Sequence, residues 1–85
     1  MADLYLISYD LTHHATMNQY EKLIGELRRL NAQKVQLSEW VWRGESTATA
    51  LRDHLKAFIH SDDRLLVTTV GTWASYNSLI KINQV

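Results

Sequence analysis

Eighty-five residues make one domain with a thin core, since a chain of this size buries only about 60–65% of the surface it exposes when unfolded. With 46% hydrophobic and 21% charged residues the composition is that of an ordinary soluble globular fold, and disorder is not expected. Nine basic residues cancel nine acidic ones, which argues against a general nucleic-acid coat, and the absence of cysteine removes disulfides, thiolate metal sites and a thiol nucleophile. The N-terminus has neither the basic segment nor the apolar run of a signal peptide, no stretch is long enough to span a bilayer, and a cytoplasmic protein is expected.

The first element is a strand from Asp3 to Leu11. Both of its alternating faces are largely apolar (Leu4, Leu6, Ser8 against Tyr5, Ile7, Tyr9), so it is expected to be central and covered on both sides. A loop through His13 and His14 follows, then a helix start with two rival caps, Asn18 with Glu21 or Thr16 with Gln19. Tyr20, Leu23, Ile24, Leu27 and Leu30 recur at helical spacing, while Lys22, Glu26, Arg28 and Arg29 fall elsewhere around the axis and read as polar surface.

In "AQKVQLSEWVWRG", Val35 and Leu37 share one parity and Trp40 and Trp42 the other. A flat strand cannot change its apolar face in this way, so a tight reversal near Leu37-Ser38 and two short antiparallel strands are predicted. After Gly44, Ser46 or Thr47 offers an N-cap, and Ala48, Leu51, Leu55, Phe58 and Ile59 form one helical stripe that ends at Asp62-Asp63. Arg64 to Val70 is a strand by its β-branched content, and one more short strand is expected around Leu79 to Ile82. The order is βαββαβ: an α+β, ferredoxin-like domain over residues 1–85, with two helices on one face of a four-stranded antiparallel sheet and an optional terminal strand.

Within that order, Tyr9-Asp10-Leu11 at the end of the first strand and "KVQLSEW" (Lys34 to Trp40) at the middle hairpin resemble the CRISPR-associated protein 2 superfamily. Its members show an apolar strand ending in Tyr-Asp-Ile/Leu and later an Arg-Val-Gln-x-Ser-Val-Phe segment. Val35, Gln36 and Ser38 match in register, and Trp40 takes the aromatic position. The virulence-associated protein D toxins and stand-alone SinR-labelled proteins look similar. The resemblance covers residues 3 to 70 and implies a symmetric homodimer in which Asp10 of each subunit faces its mate and binds Mg²⁺ or Mn²⁺. It further implies metal-dependent cleavage of RNA or DNA phosphodiesters with Asp10 as the catalytic residue, or a part in spacer acquisition beside a CRISPR integrase subunit. In such a dimer the tail from 71 to 85 is expected to cross to the partner, and Ser38, Trp40 and Trp42 are expected at the interface.

The chain departs from that pattern where Thr12 to Met17 replaces a basic run and Glu39 replaces a hydrophobic residue. The neutral charge and the missing basic run favour a non-catalytic interaction module, a scaffold in an acquisition complex or a toxin–antitoxin-type component, in which Asp10 is structural and only ends a strand. A single carboxylate holds Mg²⁺ poorly, and two-fold symmetry supplies the second without a second sequence position. Adjacent His13 and His14 diverge on extended backbone; one within reach of a metal would serve it, and otherwise both are solvated loop residues. His54 and His60 do not stack on one helix face and read as surface. Trp40 and Trp42 offer a large apolar area to the core or to a dimer interface, or flat faces on which bases would stack.

Overall fold

The structure is a computed structural model and describes residues 2–11 and 17–71. Histidines 13 and 14, the rival cap at Thr16 and the tail with its expected strand over Leu79 to Ile82 lie outside the described residues. Six elements follow in the order β1 (Asp3–Asp10), α1 (Met17–Arg29), β2 (Gln33–Gln36), β3 (Glu39–Gly44), α2 (Ala48–Lys56) and β4 (Arg64–Thr69). The strands form one antiparallel sheet in the order β2-β3-β1-β4. This is the ferredoxin-like arrangement, and the apolar first strand lies inside the sheet, between β3 and β4.

Both helices cover the same sheet face. Tyr5, Ile7 and Tyr9 of β1 pack with Leu23, Ile24 and Leu27 of α1 and with Leu51 and Leu55 of α2. Each of the fully buried members, Leu23, Leu27 and Leu55 among them, contributes about 1.5–3 kcal/mol of transfer free energy before chain entropy offsets most of it. The even-numbered residues of β1 face the other way, where Leu4, Val35 and Val41 form a small second cluster. Among the described residues no helix is long and apolar enough to cross a membrane.

Local chemistry sets the element ends. Asn18 lies inside α1 and not ahead of its first residue. At the other end Asn31 takes a left-handed φ of 63°, and the amides of Asn31 and Ala32 donate to the carbonyls of Arg28 and Leu27 at 3.0 and 2.9 Å. This is a Schellman closure, with asparagine where glycine is commonest, and Arg28 and Arg29 place positive charge at the negative end of the helix dipole. The reversal expected at Leu37-Ser38 is there, with Ser38 at φ 66° and a register shift between Lys34 and Gln36.

Of the two caps offered to α2, Thr47 is used: its Oγ1 accepts from the Ala50 amide at 3.0 Å. The Ser46 carbonyl instead receives the Tyr5 hydroxyl, which ties the loop to the central strand. The expected helix through Ile59 ends early, at Lys56. Phe58 and Ile59 still pack against the core but sit in tighter turns, and the Asp63 carboxylate takes the His60 amide at 2.9 Å. Apolar spacing places side chains on a core without requiring the backbone beneath them to stay helical.

Candidate functional site

Strand register divides the Tyr9-Asp10 motif between two sides of the sheet. Tyr9 faces the helices, where its hydroxyl accepts from Trp40 Nε1 at 3.3 Å and its ring meets Tyr20 edge-on at 6.4 Å. Burial pushes its phenol up to about 12, so Tyr9 carries no acid–base role near neutral pH. It is a core residue. Asp10 faces the helix-free side, exposed at the end of the strand.

That side can be read row by row from the pairing. Asp10 stands opposite Arg64; Ser8 lies between Glu39 and Leu66; Leu6 lies between Val41 and Thr68; Leu4 is opposite Arg43. The face is charged at the Asp10 end and turns apolar towards Leu4. Asp10 Oδ2 accepts from Arg64 Nη1 at 2.9 Å, with both side chains largely in solvent, at 65% and 76% exposure. Such an exposed pair contributes between zero and about 1 kcal/mol, so the carboxylate can be taken over by a stronger cation. Glu39 shares the face one row along, diagonal to Asp10, and adds a second acidic group there.

Among the described residues no three His, Asp or Glu side chains come together as a metal site. Within one chain Asp10 and Glu39 are too few for an octahedral divalent cation, and the fit to Mg²⁺ or Mn²⁺ depends on a second copy of the same face.

Of the residues expected at a subunit interface, the two tryptophans do not share the surface of Asp10. Trp40 pairs with Ile7 and Trp42 with Tyr5, so both indoles lie on the helix side. Trp40 is only 4% exposed within a single chain and has little surface left for a partner. Trp42 is half-buried against Tyr5, with ring centroids 5.8 Å apart, and its Nε1 donates to the Leu30 carbonyl at 3.0 Å. Neither face is free as a platform for bases. Ser38 is exposed in the hairpin turn, and its carbonyl takes the Tyr9 amide at 3.1 Å, which puts it beside Asp10.

A second polar cluster lies between the helices. Glu26, read from the sequence as surface, is 7% exposed. Arg29 grips it with two hydrogen bonds of 2.7 and 2.5 Å, and His54 Nε2 of α2 bonds the same carboxylate from across the helix pair. Arg29 first and His54 second hold the Glu26 carboxyl down from its ordinary 4.5 to about 2, against the opposing effect of burial. Because the folded value is the lower one, this stabilisation is complete above pH 4.5 and is lost as pH falls towards about 2.

Full conversion of that depression gives about 3 kcal/mol. The Arg29 and His54 side chains are 64% and 46% exposed, and solvent screening reduces the contribution to about 1–2 kcal/mol. Glu26→Gln is therefore expected to unfold at lower urea concentration than wild type at neutral pH, with the gap closing as the pH approaches about 2. A gap that stays constant with pH would separate the cluster from stability.

Neither the partnership of Asp10 with Arg64, 54 residues apart, nor the contact of Glu26 with His54, 28 residues apart, had a signal in the sequence, because strand order and helix packing decide them. What fold and site together define is a class, small ferredoxin-like α+β domains with an acidic strand end on a helix-free sheet face. No protein-family model matches the sequence.

Proposed function

We propose that the chain acts as a cytoplasmic homodimer related in design to the CRISPR-associated protein 2 superfamily, and that the dimer is a metal-dependent endonuclease on RNA or DNA phosphodiesters. The observation that carries this reading is the exposed position of Asp10 at the end of the central strand, on the sheet face without helices. Two copies packed by that face around a two-fold axis bring two Asp10 carboxylates together, with Glu39 of each chain one row behind. Leu66, 60% exposed on the same face, gives the contact an apolar component.

Asp10 and its symmetry mate would hold Mg²⁺ or Mn²⁺, and the ion supplies Lewis-acid polarisation of a phosphoryl oxygen and a more acidic bound water. Arg64, which donates to Asp10 from the rim of the face, would serve as a donor for a non-bridging phosphate oxygen if that exposed pair opened.

The Asp10–Arg64 pair also favours a second reading. In it the carboxylate is satisfied inside its own chain, and the protein is a non-catalytic module, a spacer-acquisition scaffold beside an integrase subunit or a toxin–antitoxin-type component. One assay separates the two. Wild type and Asp10→Ala are incubated with end-labelled RNA and double-stranded DNA, in Mg²⁺, in Mn²⁺ and with chelator, after sedimentation has established the dimer. The enzyme reading expects cleavage that chelator stops and that Asp10→Ala lowers by at least about 100-fold, the scale of several kcal/mol of lost metal catalysis. Equal cleavage by both proteins removes Asp10 from the chemistry. A dimer that cleaves neither substrate is the module.

A further inference from the structure

On the helix side of β4, away from Asp10, the end of α2 and the turn that follows it enclose a cleft of about 540 Å³. That volume falls within the range of small-molecule sites, roughly 300–1,000 Å³. Ile59 and Leu65 supply its apolar lining, and both are anchored against the main core. Arg52, Lys56, His60 and Ser61 bring donors to it from one helix face and the adjoining turn.

From these features we infer that the cleft binds a small phosphate monoester with a flat apolar body, the phosphate on the donors and the body on Ile59 and Leu65. The inference is independent of the metal reading, because the cleft and Asp10 are on opposite sides of the sheet.

The donor set selects the ligand class. Arg52 and Lys56 are one helical turn apart, so two like charges stand side by side on α2, an unfavourable arrangement that an anion between them would relieve. The Arg52 guanidinium touches Asp53 through Nε and Nη2, at 3.0 and 2.8 Å, an exposed contact between sequence neighbours that holds it weakly. His60 Nδ1 accepts the Asp62 amide at 3.2 Å, which puts the proton of the neutral ring on Nε2, and Asp62 Oδ2 lies 3.7 Å from the same Nδ1. Ser61 adds a hydroxyl. Guanidinium, ammonium, imidazole and hydroxyl donors approaching from different residues suit the three terminal oxygens of a phosphate better than the two of a carboxylate. Asp63, the acid in the wall, has one oxygen committed to the His60 amide at 2.9 Å, where it shapes the turn.

The test uses the full, isotope-labelled chain and three probes: adenosine monophosphate, adenosine and inorganic phosphate. Amide shifts are expected to saturate with the monophosphate and to map to residues 52–65, and each half-ligand is expected to bind at least about tenfold more weakly. Lys56→Glu, at an exposed position, is expected to weaken the monophosphate by about tenfold or more while leaving the rest of the spectrum in place. Should that variant unfold, Lys56→Gln keeps most of the stem and makes the same comparison. The inference is overturned by shifts that map elsewhere, by inorganic phosphate binding as tightly as the monophosphate, or by a Lys56 variant that binds like wild type. A single-stranded oligonucleotide that binds this surface when the monophosphate does not would show a polymer-backbone contact and would overturn it too.

Discussion

Trp40→Ala is expected to remove about 3–5 kcal/mol of folding stability, the range for truncating a large aromatic in a packed core. The indole is buried between β1 and the helices, and its Nε1 is the donor to the buried Tyr9 hydroxyl. Domains of this size commonly hold about 5–15 kcal/mol in total, so the loss is a large share of what there is. Urea unfolding followed by far-UV circular dichroism measures it. Trp40→Phe is the control: it keeps most of the ring volume and deletes the N–H, and should cost much less, about 1–2 kcal/mol including the unmet hydrogen bond. If Trp40→Ala left the urea midpoint unchanged but dissociated a dimer, the residue would belong to a subunit interface and the packing described above would be wrong.

Gly44→Ala is expected to cost about 1–3 kcal/mol although it adds only one methyl group. A Cβ at this position would fall 2.2 to 2.8 Å from three atoms of the Trp42 indole, which lies directly over the glycine. The ring has little freedom to move aside, because its Nε1 is bonded to the Leu30 carbonyl at 3.0 Å and its face leans on Tyr5. Displacing it frees that carbonyl near the end of α1 and loosens the link between β3 and the helix. The indole N–H resonance of Trp42 should shift or broaden together with the fall in urea midpoint. A full-stability variant with an unchanged indole signal would mean that the ring accommodates the methyl group without strain.

The two substitutions mark where sequence patterning and three-dimensional structure diverge. Parity in Val35, Leu37, Trp40 and Trp42 was enough to place the hairpin, and both helical stripes were legible because 3.6-residue spacing is a property of the chain alone. Which side the tryptophans occupy was not legible. Large apolar residues suit a core and an interface equally, and only the pairing of Trp40 with Ile7 and of Trp42 with Tyr5 puts them under the helices.

For the candidate site, the exposed acidic end of β1 could be read from "LYLISYD", since a run of apolar residues stops at a charge. Its electrostatic setting could not be, because Arg64 is 54 residues away and meets Asp10 only through antiparallel register. The same holds for Glu26, whose neighbours in the chain mark it as solvent-facing until α2 brings His54 over it.

The amino-acid sequence by itself determined the kinds and order of the elements, the place of the turn at Leu37-Ser38 and the central role of the first strand, because these follow from local periodicity and from hydrophobicity on both strand faces. Tertiary structure alone decided the partner of each charge, the side each tryptophan takes, the point where α2 stops and the cleft beside it. Those depend on contacts between residues far apart in the chain, and a one-dimensional pattern does not encode the distance between them.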